Sequence, residues 1–181
     1  LARDMTCTPD TAVGACPEGD ACLGDGHSLS RCVEQSNACL EGWDVIDFGA
    51  VATAEGDVWT YEGDSSEADA YGIGTCGGGG ATDIIAFTAP AAGNWRFELI
   101  AAGGEEPDTV IYARSACADE AAELICNDDF NDALLSGFDY ALDADQEIYV
   151  FVDGFNGEFA GTYTLQVSPA PEDEPEVPEE N

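Results

Sequence analysis

The chain has 181 residues and carries 38 Asp and Glu against four basic residues, all Arg, for a formal net charge of -34 at pH 7. This charge excludes nucleic-acid binding through phosphates, which needs Lys and Arg to displace counterions, and disfavours docking on anionic lipid. Hydrophobic residues make up 45% of the chain, enough for a packed core. No run approaches the ~18 apolar residues of a membrane span, so no membrane insertion is expected.

Residues 1–40 form a cysteine-rich segment with few large apolar side chains and many Gly, Pro and Asp residues. A segment of this kind buries too little surface to fold without cross-links. The chain has eight cysteines, an even number, and no CxxC pair of the kind found in zinc and thioredoxin-like sites. We therefore expect disulfide bonds formed in an oxidising, extracellular setting. Within this segment the spacing suits an interlaced pair of bonds, Cys7–Cys22 and Cys16–Cys32.

Residues 41–168 alternate short runs of β-branched and aromatic residues with Gly, Asp and Asn turns. Trp95, Phe97 and Leu99 share one face of their run, as the period of two in a half-buried strand requires. Runs at this spacing predict an all-β domain, a sandwich or a barrel, and Asp119–Leu124 predicts a single helical turn. The predicted strands are Val58–Glu62, Asp83–Thr88, Asn94–Ile100, Thr109–Arg114, Glu123–Cys126, Ser136–Leu142, Glu147–Val152 and Gly161–Val167.

The last stretch, residues 169–181, reads PAPEDEPEVPEEN, with four Pro, six acids and no apolar stripe. This composition predicts an extended acidic tail. We expect the tail to be held by a neighbouring copy rather than by its own domain. Edge strands of a sandwich offer a second route to self-association, because they can accept a strand from another chain.

Several motifs of the β domain agree in order with a known family: FTAPAAGNWRFEL, DTVIYARSAC, ELICNDD and IYVFVDGFNGEFAGTYTLQV. With them, roughly residues 55–167 resemble a bacterial pre-peptidase C-terminal domain, and more closely its cysteine-containing version in secreted proteins of myxobacteria and their relatives. The resemblance implies a jelly-roll-like antiparallel β-sandwich that is extracellular and non-catalytic. Members of this family commonly accompany secreted peptidases, and some bind calcium or act in substrate attachment.

The remaining cysteines predict two further disulfide bonds. Cys117–Cys126 would span the turn between two adjacent strands, and Cys39–Cys76 would tie the cysteine-rich segment to the sandwich. The second bond closes a long loop, which corresponds to roughly 3–4 kcal/mol of stabilisation in the chain-entropy model.

The loop that begins at Asn127 is the densest run of oxygen-bearing side chains. Asn127, Asp129 and Asn131 repeat the every-second-residue spacing with which calcium loops open, and Asp128 adds a carboxylate. The Gly and Glu that would complete an EF-hand are missing. Two interpretations are open: a calcium site, with Asp153 as a further ligand, or an Asx-turn with solvated acids.

Two neighbouring features bear on that choice. The loop DGFNGE that starts at Asp153 is explained as a hairpin turn, and calcium ligation by Asp153 and Glu158 is the alternative. Asp108, just before a predicted strand, is placed to reach the same end of the sandwich as Asp128. Calcium is the one cofactor that the sequence predicts.

No catalytic constellation stands out. His27, Ser28 and Ser30 have residue types of a triad but lie in the cysteine-rich segment, without a rigid scaffold. Acids are so abundant that no carboxylate pair is informative. Gly77–Gly80 lacks the Lys and the following helix of a phosphate-binding loop and is predicted to be a flexible turn. We expect a protein that is not an enzyme.

These observations predict a secreted β-sandwich module with a structural or adhesive role, as a subunit of an extracellular fibre or cell-surface assembly. The alternative is an accessory domain of a larger secreted hydrolase that aids attachment or folding. A net charge of -34 also predicts self-repulsion, which salt or calcium must screen.

Overall fold

The computed structural model describes residues 38–100, 107–131 and 133–171, together with the backbone of three strands nearer the N-terminus. The chain divides into two compact units, Leu1–Asn37 and Ala38–Asn181. In the first unit β1 (Thr6–Cys7), β2 (Asp20–Leu23) and β3 (Ser30–Glu34) form an antiparallel sheet in the order β1-β3-β2. The predicted bonds Cys7–Cys22 and Cys16–Cys32 lie outside the described side chains.

The second unit is built from strands with very little helix. Its elements are β4 (Val45–Asp47), α1 (Phe48–Val51), β5 (Thr53–Glu55), β6 (Val58–Asp64), β7 (Ile73–Gly74), β8 (Gly77–Gly78), β9 (Asp83–Thr88), β10 (Gly93–Ile100), β11 (Thr109–Arg114), β12 (Glu123–Asn127), β13 (Gly137–Leu142), β14 (Glu147–Gly154) and β15 (Thr162–Pro169). Two 3-10 turns span Glu120–Ala122 and Phe155–Gly157.

Two five-stranded sheets form the body of this unit. We call the sheet in the order β13-β10-β15-β6-β5 the open sheet, and the sheet in the order β12-β11-β14-β9-β4 the covered sheet. All pairings in the two sheets are antiparallel except that of β4 with β9, which is parallel. A separate two-stranded ladder joins β7 and β8.

The core lies between the two sheets, and β10 and β15 of the open sheet alternate as predicted. On β10 the side chains of Trp95, Phe97 and Leu99 are buried, while those of Arg96 and Glu98 face outward. Tyr163 and its alternate neighbours on β15 meet residues of β9, β11 and β14 in one apolar cluster. Fully burying each such side chain is worth about 1.5–3 kcal/mol. The all-β sandwich predicted from the sequence is confirmed.

The outer face of the covered sheet carries a second apolar cluster: Tyr71, Ile84, Val110, Tyr112, Cys117, Tyr149 and Phe151. The partly buried side chains of Cys39, Trp43, Cys76 and Phe155, from segments outside the sheet, pack against it. Trp43 lies 5.1 Å from the ring of Tyr71, and the backbone amide of Asp44 donates to the Tyr71 hydroxyl. The covered sheet is therefore buried on both faces.

The two disulfide bonds of this unit differ from those predicted. Cys39 pairs with Cys117 and Cys76 pairs with Cys126, so the predicted bonds Cys39–Cys76 and Cys117–Cys126 are wrong. Cys126 lies opposite Tyr112 in the β11–β12 ladder, so its side chain points onto the outer face, where the β7–β8 hairpin passes. A Cβ on Gly74 of that hairpin would lie 2.6 Å from the Cys126 sulfur.

The ends of elements show where local signals were accurate. Asp83–Thr88 and Thr109–Arg114 are strands with the predicted bounds. The predicted helical turn at Asp119–Leu124 is the 3-10 turn Glu120–Ala122, and the Asp119 carboxylate accepts a hydrogen bond from the Ala121 amide at 2.9 Å. The last strand runs through Pro169, where the tail was predicted to begin, and the Ala170 amide donates to the Asn94 carbonyl.

Candidate functional site

A buried carboxylate holds the four-glycine run in place. The side chain of Asp153, at the end of β14, is 0% exposed. It accepts hydrogen bonds from the backbone amides of Gly79 at 2.7 Å, Gly80 at 3.0 Å and Gly154 at 2.7 Å, and the Thr82 hydroxyl lies 3.1 Å away. Each carboxylate oxygen therefore accepts at least one backbone N–H, and the Thr82 hydroxyl shares its proton between Asp153 and the Gly80 carbonyl. The interpretation of this run as a flexible turn is therefore wrong: it is anchored.

The close fit explains why glycine is needed here. Gly78 has a φ of +110, and a Cβ at that position would lie 2.7 Å from an Asp153 oxygen. Another side chain would push the loop off its anchor. Asp153 thus holds the loop through its backbone amides, and its role as a calcium ligand stays a prediction.

The other predicted calcium ligands lie near further carboxylates at the same end of the sandwich. Partial burial raises the pKa of Asp108, and the negative charges of Asp129, Asp128 and Glu158 raise it further. The structure thus places Asp108 near Asp128 and Asp129, as expected from the sequence. The Asp108 carbonyl also accepts a hydrogen bond from the Phe155 amide, which ties this position to the loop that follows β14.

Asn127 and Asn131 bracket this acidic loop. Asn127 ends β12, and its side-chain oxygen is buried without a hydrogen-bond partner. Asn131 has a φ of 55, the left-handed conformation that Asn tolerates in turns. Within the described ranges, no group of three or more His, Cys, Asp or Glu side chains is close enough together to hold a metal ion. The calcium site stays a prediction.

At the same end of the sandwich as Asp153, the carboxylate of Asp83 contacts a tyrosine of the core. The Tyr163 hydroxyl donates to Asp83 at 2.6 Å. Burial raises the pKa of Asp83 and the charge of Asp64 adds to the rise, while the hydrogen bond from Tyr163 opposes it. Burial also raises the pKa of Tyr163, and the nearby Asp83 charge raises it further. Sequence reasoning missed this pair, because only the sheet-on-sheet packing brings the two residues together.

The outer face of the covered sheet contains a buried cation. Arg114 is 1% exposed, and its guanidinium lies 4.8 Å from the ring centroid of Phe151 and 5.2 Å from that of Tyr112. It donates to the carbonyls of Ile73 and Cys117. The ring faces stabilise the charge, so Arg114 fixes the covering segments to the sheet.

The outer face of the open sheet has a different composition. Its central strand, β15, presents a strip of short or neutral polar side chains: Thr162, Thr164, Gln166 and Ser168. On β10 beside it, Arg96 makes a two-pronged ion pair with Asp139, with both contacts at 2.8 Å, and lies over the Phe130 ring. This face is mostly polar and partly exposed to solvent.

No family model and no curated protein matches the chain. Among solved structures, the chain is similar to a periplasmic inhibitor of g-type lysozyme from Aeromonas hydrophila. The identity is 14%, the match covers 68% of this chain and 94% of that one, and the TM-score is 0.44. It is also similar to the pre-peptidase C-terminal domain of a collagenase from Bacillus anthracis, at 17% identity, 72% and 99% coverage and a TM-score of 0.40.

Two disulfide bonds within one unit indicate folding in an oxidising compartment, extracellular or periplasmic. In the part of the chain that the structure describes, no helix is long and apolar enough to span a membrane.

Proposed function

We propose that this chain is a non-catalytic extracellular module with a structural or adhesive role, a subunit of a fibre or cell-surface assembly. The observation that supports the proposal is the difference between the two outer sheet faces. One is sealed by covering segments and two disulfide bonds, and the other is a five-stranded polar surface. A sealed face stabilises the module and an open sheet face offers it a contact surface.

Charge directs that contact to the β15 strip, which we define as Thr162, Thr164, Gln166 and Ser168. Copies of a chain with a net charge of -34 repel each other. The strip itself is uncharged, but Glu62 and Glu98 lie opposite its residues on the neighbouring strands, so contact there needs salt to screen these charges. The Thr and Ser side chains of the strip also lose little rotamer freedom on contact.

Self-association of the full chain tests this proposal. We expect a mass above that of the monomer in sedimentation velocity at high protein concentration and moderate salt, and fibres or regular particles by electron microscopy. Thr164→Glu places a charge in the middle of the strip and should weaken the association. Ala121→Glu, at an exposed position of the 3-10 turn before β12 of the covered sheet, adds the same charge on the other sheet and should leave the association unchanged. A chain that stays monomeric under these conditions contradicts the proposal.

The acidic tail is part of the same proposal. The described chain leaves β15 at Pro169, beside β10, so the tail begins at one end of the open face. We propose that the residues after Pro171 are held by a neighbouring copy. Removing residues 172–181 should weaken self-association while the melting temperature of the sandwich is retained. A truncated chain that unfolds would instead make the tail part of the fold.

We further propose that calcium binds at the acidic end, through Asp128, Asp129 and their neighbours Asn127, Asn131 and Asp108. Two observations support it: the buried, unpartnered oxygen of Asn127 and the carboxylate crowding that raises the pKa of Asp108. Calcium takes oxygen ligands of this kind, and extracellular modules bind it at roughly 10⁻⁴–10⁻³ M. A ligand at 100 times its Kd adds about 2.7 kcal/mol.

A thermal melt separates calcium binding from screening. We expect the melting temperature to rise with NaCl, because salt screens the net charge, and to rise further with millimolar calcium at equal ionic strength. EDTA at fixed ionic strength should reverse only the second rise, and Asp128→Asn should reduce it. If NaCl raises the melting temperature and EDTA has no effect, the calcium proposal is contradicted, and only the screening of the net charge by salt remains.

The resemblance to pre-peptidase C-terminal domains favours a second candidate, an accessory domain of a larger secreted hydrolase. An antibody raised against the purified chain separates the two. The assembly proposal expects the chain at its own mass in native material, in particles of many copies. The accessory-domain proposal expects it within a larger polypeptide that has hydrolase activity.

A further inference from the structure

A cleft of about 190 Å³ opens between the edges of the two sheets, at the end of the sandwich opposite Asp153. One wall comes from β4 and α1 of the covered sheet, and the other comes from β6 of the open sheet. Its lining residues are Asp47, Phe48, Gly49, Trp59, Phe87, Thr88 and Pro90. The volume lies below the roughly 300–1,000 Å³ of sites for drug-sized ligands, so it suits a single side chain.

Aromatic rings dominate the inside of this cleft. Phe48 and Phe87 are 3% and 4% exposed, and their ring centroids are 5.7 Å apart in an edge-on arrangement. Trp59 is half-buried and leans on Trp95, with ring centroids 5.6 Å apart. Such rings bind aliphatic groups by burial and attract cations through their faces.

One carboxylate stands at the rim. Asp47 occupies the position before α1 where an Asp usually caps a helix, yet its side chain makes no capping hydrogen bond. Among the described residues, the salt bridge within 4.0 Å is that of Arg96 with Asp139. No described basic side chain therefore pairs with Asp47. The cleft thus combines an apolar interior with a free negative charge at its mouth.

We propose that this cleft binds the side chain of a lysine from a partner polypeptide. The aliphatic stem would lie on the rings while the ammonium group stays at the mouth, beside Asp47 and in water. The net charge of -34 draws basic partners toward the protein. The occupant is not a second copy, because the chain contains no Lys. This site does not depend on the proposed assembly, because none of its lining residues belongs to the β15 strip.

Titration of the full chain with N-acetyl-lysine methylamide, followed by NMR at the Trp59 indole N–H, tests the proposal. The norleucine analogue has a similar aliphatic stem without the ammonium group and isolates the charge. We expect saturable shifts at Trp59 and an apparent affinity for the lysine compound about fivefold above that for norleucine. The indole N–H of Trp43, which packs on the outer face of the covered sheet, should show no shift.

Two variants localise the effect. Asp47→Asn should lower the affinity for the lysine compound about threefold and leave norleucine unchanged. Glu62→Gln, at an exposed position of the open sheet, removes the same charge from the overall field and should change the affinity for lysine by less than about 1.3-fold. Equal affinity for lysine and norleucine, an equal effect of the two variants, or no shift at Trp59 would each overturn the proposal.

Discussion

The outer faces of the two sheets differ although both sheets have five strands and share one core. The covered sheet carries aromatic rings on its outer face, a buried arginine and two disulfide-bonded segments. The open sheet carries threonine, glutamine and serine along its central strand. Stability beyond the shared core is therefore concentrated on one side, and a surface for contact is left on the other.

The difference shows how an acidic chain gains stability without enlarging its main core. Segments between strands would cost conformational entropy to order. Two disulfide bonds and the buried Asp153 carboxylate hold these segments at a few points. Their apolar side chains then shield the covered sheet. On the open side, single substitutions should cost much less. The four predictions below test this asymmetry, in order of decreasing effect.

The largest loss should follow removal of a cross-link. The double variant Cys76→Ala/Cys126→Ala opens a bond between residues 50 apart, and Cys39→Ala/Cys117→Ala opens one between residues 78 apart. The chain-entropy model gives about 4 kcal/mol for loops of this size. Urea unfolding of each variant against the parent measures the loss. If removing a disulfide bond lowers the free energy of unfolding no more than a substitution on the open face does, the two sides of the sandwich do not differ in their contribution to stability.

Asp153→Asn should have the next largest effect. An amide nitrogen would face a backbone N–H where an oxygen now accepts, and the charge-assisted bonds to Gly79 and Gly80 would weaken. We expect a loss of about 3 kcal/mol in the free energy of unfolding. Hydrogen exchange at the two glycine amides should accelerate first. Asp64→Asn, at the exposed end of β6 where the side chain accepts from the Ser66 amide, is the matched control and should cost much less.

The pH dependence of stability is the third prediction. The folded-state pKa values of Asp83 and Asp108 lie above the ordinary value of 3.8, so the folded state binds these protons more tightly than the unfolded state. That contribution to stability is complete below pH 3.8 and is lost as the pH rises through the folded pKa values. We expect the free energy of unfolding to fall as the pH rises above 3.8 and through the raised folded pKa values.

Asp83→Asn should flatten this pH profile and raise stability at neutral pH, because an amide carries no charge to bury and still accepts the Tyr163 hydrogen bond. Urea unfolding across the pH range at constant ionic strength provides the measurement. The pKa of Asp64 is lowered by its hydrogen bonds with Ser66. Its contribution to stability is therefore lost only as the pH falls below the ordinary pKa of an Asp and does not affect the predicted decrease at higher pH. A profile that rises with pH would contradict the assignment.

The smallest effect is expected on the open face. Arg96→Gln breaks the ion pair with Asp139, which is partly exposed at 25% and 31%. Exposed pairs are worth about 0.5–1 kcal/mol even with two-pronged geometry. A double-mutant cycle with Asp139→Asn isolates the pair. A coupling of the size expected for Asp153 would mean that the open face also stabilises the fold.

Local patterns predicted the strands well. On β10 and β15 alternation records the one buried face directly, while β11 and β14, which are buried on both faces, were indicated by runs of β-branched and aromatic residues. All eight predicted strands are present, two of them with the predicted bounds. The short strands β4, β5, β7 and β8 were missed. Each has two or three residues, too few for a period, and each forms because a neighbouring segment holds it.

The sequence by itself determined the all-β class, the oxidising setting and the overall charge, because these follow from residue types and a spacing of two. It did not determine the disulfide partners, since pairing depends on which face of β12 Cys126 occupies and on where the Gly74 hairpin crosses it. Nor did it show that Asp153 anchors the four glycines or that Asp83 meets Tyr163. Those contacts join residues 70 to 80 positions apart, and only the packing of one segment or sheet on another brings them within hydrogen-bond distance.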